Sequence, residues 1–211
     1  MAVVGKQTEL CMEAVNHSKP EWMILQAWAW GHDGKNKRRP YHEMESRYPT
    51  YEENRFMAYD AIVHGATGIM YHYLGYTVHI PDSFWASLRK VTLELSWMSP
   101  VLTSETVPPP FSCNSPVVRM LAKLHDGHVY CILVNESEQA VTAVLKNVDE
   151  KRLNVLLDPM PIFPSKGIAT LDMPPFAVRV VSTAEFPDAT TLFKPNTYVP
   201  YHRQPTIAPH K

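Results

Sequence analysis

Cysteine is too sparse and too scattered in this chain to build anything with. The three, Cys11, Cys113 and Cys131, form no CxxC pair, no metal-ligand spacing and no even-numbered disulfide framework. A bridge between Cys113 and Cys131 stays open to the sequence, but buried free thiols are the expectation. A charge surplus is also missing: 20 Lys and Arg stand against 21 Asp and Glu, so no strong field draws nucleic acid or an anionic membrane. The short basic cluster "KNKRRP", residues 35–40, sits among turn formers and reads as a solvated loop. No apolar run approaches the roughly 20 residues of a membrane-spanning helix, and "MAVVGKQTELCMEA" is interrupted by charge too early to read as a secretory leader. These absences predict a soluble chain with neither nucleic acid nor membrane as partner.

Glycine is scarce at 8, whereas proline is abundant at 19 and concentrated at "PPPF", "DPMPIFP" and "MPPF" and beyond residue 185. Those clusters mark boundaries. With 211 residues and 45% hydrophobic composition, the chain can hold one or two domains with cores of their own.

Periodicity orders the first half. Apolar Val3, Val4, Leu10, Ala14 and Val15 predict a helix over 3–16, and "WMILQAW" predicts a buried strand over 22–28. A long polar loop, 31–48, follows, a length that in compact domains goes with function or mobility. In "PTYEEN" Thr50 can cap the next helix while Glu53 reaches back, the reciprocal capping box. Phe56, Tyr59, Ile62 and Val63 predict one buried face, and Gly65 the stop. A second strand is expected over 69–73. A third helix follows, capped by Asp82 or Ser83, with Phe84, Leu88, Val91 and Leu95 inside and Pro100 just past its end. Short apolar strands alternating with amphipathic helices mean crossover units of a parallel sheet.

Beyond "PPPF" the period changes to two. Val118, Met120, Ala122 and Leu124 alternate with polar neighbours, and Asp126-Gly127 between two such runs predicts a hairpin. Further strands are expected over 140–146, 152–157, 167–171 and 176–182, the spacing of an antiparallel β-sandwich. Residues 185–211 show no period and read as a proline-rich extended tail.

Two strand-helix units cannot close a barrel, which needs about 200 residues or more. An open parallel pair would leave both edges unpaired. The fold class expected is therefore α/β plus all-β: the last two units of a partial (β/α)8 (TIM) barrel over 1–104, then an antiparallel β-sandwich over 105–184 and the tail.

Three features in order, "KPEWMILQAWAW", "RYPTYEENRFMAYDAIVHGATGIMYHYL" and a β-region ending "MPPFAVRVVS", resemble the last part of a barrel glycoside hydrolase. The resemblance is to β-galactosidase-like proteins near glycoside hydrolase family 42. There, "P-T-x-E-E-x-R" and "A-x-x-H-G-A-x-G-I" link the seventh strand to the eighth, and an all-β domain follows. By this resemblance 22–28 is strand seven and 69–73 strand eight, with their C-terminal ends facing the active site. Retaining members place a nucleophilic Glu at the end of strand seven, where this chain has Gln26, and the acid on strand four. A carboxamide can bond a sugar hydroxyl but cannot form the glycosyl-enzyme.

The resemblance thus implies substrate contacts from Gln26, Trp28, Trp30, His32, Tyr71 and His72. The tryptophans offer flat rings for a sugar face, and His72 can donate or accept. Each has an ordinary alternative as a satisfied core or loop residue. Glu43 and Glu45 are the nearest loop carboxylates, but catalytic groups need rigid placement. His17, His32, His42, His64, His72 and His79 show no compact ligand spacing, so neither metal nor cofactor is expected, and His64 is read as a helix-end residue.

The expected activity of the parent is hydrolysis of O-glycosidic bonds, with this chain inactive by itself. Alternatives are a non-catalytic carbohydrate-binding or interaction module, and a parent whose carboxylates all lie on earlier strands. The expected partners are a carbohydrate and, through the sheet edges, a missing N-terminal barrel segment or a second copy.

Overall fold

The computed structural model describes residues 3–29, 47–72 and 81–194. Its first part runs α1 (Val3–Ala14), β1 (Trp22–Gln26), α2 (Tyr51–Val63), β2 (Gly68–His72) and α3 (Asp82–Leu102). Strands β1 and β2 pair in parallel, with Trp22 beside Gly68, Ile24 beside Met70 and Gln26 beside His72.

The Thr50 side chain accepts from the Glu53 amide while Glu53 accepts from the Thr50 amide, so the expected capping box starts α2. Burial of α2 does not follow the expected single stripe: all of Asn54 to Ala61 is buried. The reason lies in its surroundings. Phe56, Met57, Ala58, Tyr59 and Ala61 share one core with Met23 and Leu25 of β1 and with Ile132, Val134, Val178 and Val180 from the second half of the chain. A helix covered on opposite sides has no solvent face to mark.

Helix α3 buries Phe84, Leu88, Val91, Glu94, Met98 and Val101. Two details differ from expectation. No side chain caps its start, where Pro81 is the N-cap, and Pro100 lies within the last turn. The helix runs on to Leu102, and Thr103 closes it with amide and hydroxyl both bonded to the Ser99 carbonyl, at 3.0 and 2.8 Å.

The second half is antiparallel. Strands β3 (Glu105–Val107), β4 (Ser112–Cys113), β5 (Val118–His125), β6 (His128–Asn135), β7 (Val141–Lys146), β8 (Leu153–Val155), β9 (Asp158–Ile162), β10 (Ile168–Met173) and β11 (Val178–Ser182) make two sheets. The larger has the order β3-β5-β6-β11-β8-β9 and the smaller β10-β7-β4. Asp126 and Gly127, both at positive φ (48° and 77°), form the β5–β6 turn as expected.

Between the sheets lies a core that includes Leu133, Cys131 and Val181 from one and Leu145, Leu171 and Met173 from the other. The opposite face of β6 and β11 sends Tyr130, Ile132, Val134, Val178 and Val180 into the core shared with α2. Alternation along two central strands thus joins the helical part to the sheets.

The cysteines are free thiols, and burial pushes the Cys131 thiol up to about 12. Strand β9 escaped the sequence reading because Pro159 and Pro161 lie in it; at the edge of its sheet a missing amide breaks no ladder. The expected tail begins as packed structure. Asp188 caps α4 (Ala189–Leu192), Leu192 is buried, and the Phe186 ring meets Trp97 and Tyr130. Residues 195–211 lie outside the described residues.

Candidate functional site

Side-chain alternation divides the β1–β2 pair into two unlike faces. Met23 and Leu25 turn toward α2 and are buried, and Ile69 and Tyr71 pack against the same core. Trp22, Ile24 and Met70 turn the other way and are 60%, 60% and 46% exposed. Gln26 and His72 are neighbours on this open face, at the C-terminal ends of their strands.

Gln26 Nε2 donates to the Trp28 carbonyl at 2.8 Å, which bends the chain back just beyond β1. The Trp28 ring stands edge-on to the His72 ring, centroids 6.0 Å apart. Three of the residues expected at a ligand surface, Gln26, Trp28 and His72, are therefore together. Tyr71 is on the opposite face, against Phe84, Leu88 and Ala27. Its phenol has no hydrogen-bond partner among the described residues, and burial pushes its pKa well above the ordinary value. Trp30, His32, Tyr73, Glu43 and Glu45 lie outside the described residues.

A cleft of about 480 Å³ opens at the same end of the strands, bounded by Ala29, Arg47, Tyr48, Thr50, Phe84 and Ser87 among others. Tyr48 and Phe84 form its aromatic wall, rings 4.7 Å apart. Arg47 is held by Glu53 through paired contacts of 2.5 and 2.6 Å. The open face thus offers a carboxamide, an imidazole and an indole, while the cleft, which none of these three side chains lines, offers hydroxyls. Such groups bind neutral polyols by hydrogen bonds and ring contact. The described residues of the open face include no carboxylate, so they supply neither nucleophile nor general acid for glycosidic cleavage.

No family model matches the chain, and no curated protein matches it. Solved structures do. AmyP in complex with maltose superposes with a TM-score of 0.51 at 14% identity, over 66% of this chain and 35% of that one. The α-amylase of Geobacillus thermoleovorans complexed with acarbose gives 0.49 at 11% identity, over 64% and 34%. A GH30 endoxylanase from Clostridium papyrosolvens gives 0.44 at 12%, over 85% and 45%. The fold is similar to that of part of AmyP. The chain spans about a third of the length of AmyP.

Two polar clusters were not visible in the sequence. Arg55, Glu94, Tyr51 and Tyr59 meet where α2, α3 and β11 pack. Glu94 accepts from Arg55 Nε at 2.9 Å, from the Tyr59 hydroxyl at 2.9 Å and from the Tyr51 hydroxyl at 3.0 Å. Arg55 Nη1 donates to the Val178 carbonyl at 2.8 Å. Burial first, then the Glu94 charge, pushes both phenols well above the ordinary value. Glu94 and Tyr59 are fully enclosed, which makes this an internal tie rather than a surface for substrate.

The other cluster joins Asp60, His64 and Glu136, whose ligand atoms lie within 4.8 Å of one another. The i, i+4 spacing of Asp60 and His64 was legible. Glu136, 72 residues further on, needed the fold.

Proposed function

We propose that this chain is the C-terminal portion of a glycoside-hydrolase-like protein and that it contributes carbohydrate contacts to a site whose acid and nucleophile it does not carry. The observation that carries the reading is the grouping of Gln26, Trp28 and His72 at the C-terminal ends of two parallel strands, the end at which barrel enzymes bind substrate. The maltose bound to AmyP supports an oligosaccharide as the ligand class.

In this reading 1–104 is the end of a (β/α)8 barrel, 105–184 is a β-sandwich that braces it, and 185–211 is an appended tail. Gln26 and His72 bond sugar hydroxyls, and Trp28 and Trp30 cover a sugar face. By the resemblance His32 and Tyr71 would add further contacts; Tyr71 is on the helix-covered face, and His32 lies outside the described residues. "PTYEENR" and "AIVHGATGI" are the support for a family 42-like parent, whose activity would be O-glycosyl hydrolysis. Within this chain those motifs have structural work: Thr50 and Glu53 cap α2, Arg55 ties it to Glu94, and His64 is its C-cap.

Isothermal titration of the purified chain with maltose and with lactose tests the proposal. Saturable binding of one of them is expected, weakened about tenfold or more by Trp28→Ala, the loss of one ring contact and its enclosure. Absence of binding to both, or binding unchanged in Trp28→Ala and Gln26→Ala, overturns it. The same sample should not hydrolyse aryl glycosides.

A second reading, an interaction module, is favoured by the exposed Trp22, Ile24 and Met70 on the same face.

A further inference from the structure

The Asp60, His64 and Glu136 cluster lies away from the open face, where α1, the end of α2 and the end of β6 meet. His64 is the C-cap of α2, and Glu136 follows the last residue of β6. His64 Nε2 is 2.7 Å from Glu136 Oε1 and 3.8 Å from Asp60 Oδ1. Asp60 is 1% exposed, and its two oxygens are treated differently. Oδ2 accepts the Gly5 amide at 2.7 Å, whereas Oδ1 has no hydrogen-bond partner among the described residues and faces the imidazole.

A buried carboxylate oxygen without a donor is costly unless something positive occupies the space before it. Among the described residues, the only ion-pair partner of Asp60 and of Glu136 is His64 itself. The nearby guanidinium, Arg119, is taken by Glu9, with which it makes a close ion pair.

Gly5 adds an independent observation. A Cβ at this position would fall 2.4 Å from His64 Cδ2, 2.5 Å from Nε2 and 2.9 Å from Asp60 Oδ1. In a helix, glycine is less favourable than alanine by about 1 kcal/mol. Here it keeps α1 clear of the two donor atoms.

We propose that Asp60 Oδ1, His64 Nε2 and Glu136 Oε1 form a site for one divalent transition-metal cation of the zinc type. One nitrogen and two carboxylate oxygens suit that class of ion, and a tetrahedral shell at the usual bond lengths sets its donors about 3.3 Å apart. The two separations at Nε2, 2.7 and 3.8 Å, bracket that value. Asp60 binds through one oxygen because Gly5 holds the other. Glu136, the partly exposed member, is the side of entry.

The other imidazole nitrogen is also provided for. Nδ1 lies 3.1 Å from Glu9 Oε1, so a proton on Nδ1 bonds this carboxylate while Nε2 turns its lone pair to the ion. Without the ion the arrangement suits the other tautomer. Nε2–H then donates to Glu136, and Nδ1 accepts from Arg119 at 3.1 Å.

The test is calorimetric titration of the chelator-stripped full chain with zinc chloride. One equivalent should bind saturably, with a rise in the thermal midpoint. Glu136→Gln keeps an oxygen that accepts from His64 and should weaken binding more than about tenfold. Glu9→Gln, which leaves all three donors in place but changes the partner of the outer nitrogen and of Arg119, should weaken it by about tenfold. Circular dichroism reports whether each variant is folded, and Glu9→Gln remains a test where Glu136→Gln is not. No binding by the unsubstituted chain, or an affinity in both variants unchanged from that of the unsubstituted chain, overturns the proposal, the latter placing any bound zinc elsewhere.

Discussion

Glu94 is the buried centre of the polar contact between α2 and α3. It is fully buried, and its two oxygens receive one guanidinium and two phenols. Arg55 passes the connection on to β11 through the Val178 carbonyl. Such a pair is weak evidence of net stabilisation, because desolvation offsets its attraction, but breaking it strands a buried charge. Glu94→Gln is therefore expected to destabilise the chain by about 3–5 kcal/mol, read as a lower urea midpoint. Replacing the pair together, Arg55→Met with Glu94→Leu, should recover most of the loss, since no charge is left alone. A Glu94→Gln variant within about 1 kcal/mol of the unsubstituted chain would mean that Arg55 finds another partner. The sequence does not show this tie, because "PTYEENR" places Arg55 on a helix without saying what lies 39 residues further on.

Whole elements were legible where their signals are local. The start of α2 was written in Thr50 and Glu53, the β5–β6 turn in Asp126-Gly127, and the places of β1 and β2 in their short apolar runs. The burial expected of those two strands was not met, since one face of the pair is exposed. What escaped depends on distant partners. Strand β9 is a strand only because β8 lies beside it, and α2 lost its stripe because a sheet covers its second side. The candidate site divides in the same way. Gln26 and His72 were found as strand ends, but Glu136 joined His64 only in three dimensions.

The α2 cap makes a prediction in pH. The Arg47 hydrogen bonds, opposed by burial and helped by the Thr50 amide, hold the Glu53 carboxyl below the ordinary carboxylate range. A depressed folded pKa adds stability that is present above the unfolded value, about 4.3, and lost as pH falls through the folded one. Thermal midpoints should therefore drop as pH falls from about 5 toward 3, and this drop should be smaller in Glu53→Gln. Thr50→Ala removes the other half of the cap and should cost about 1 kcal/mol at neutral pH. Identical pH profiles for Glu53→Gln and the unsubstituted chain would show that the carboxylate charge contributes nothing there.

At the scale of the whole molecule, the β1–β2 pair is covered by helices on one face and open on the other. Parallel strands are ordinarily buried on both faces, yet Trp22, Ile24 and Met70 stand in solvent here. In the proposed parent, further parallel strands enclose this face, turning its apolar residues into a barrel interior. In the isolated chain the nearest substitute is a second copy, so self-association that grows with concentration is expected. Ile24→Thr with Met70→Thr puts a strand-forming, β-branched side chain at both positions and cuts the exposed apolar surface of this face back to Trp22. Neither residue belongs to the core that joins α2 to the sheets, so helicity and melting should change little. Sedimentation velocity should then show the unsubstituted chain shifting to larger species at high concentration and the double variant remaining a monomer. A monomeric unsubstituted chain under those conditions would mean that the open face is tolerated in water. Equal association of both proteins would place the contact on another surface, where the exposed Met160 and Phe163 at and just beyond the β9 edge are the next candidates.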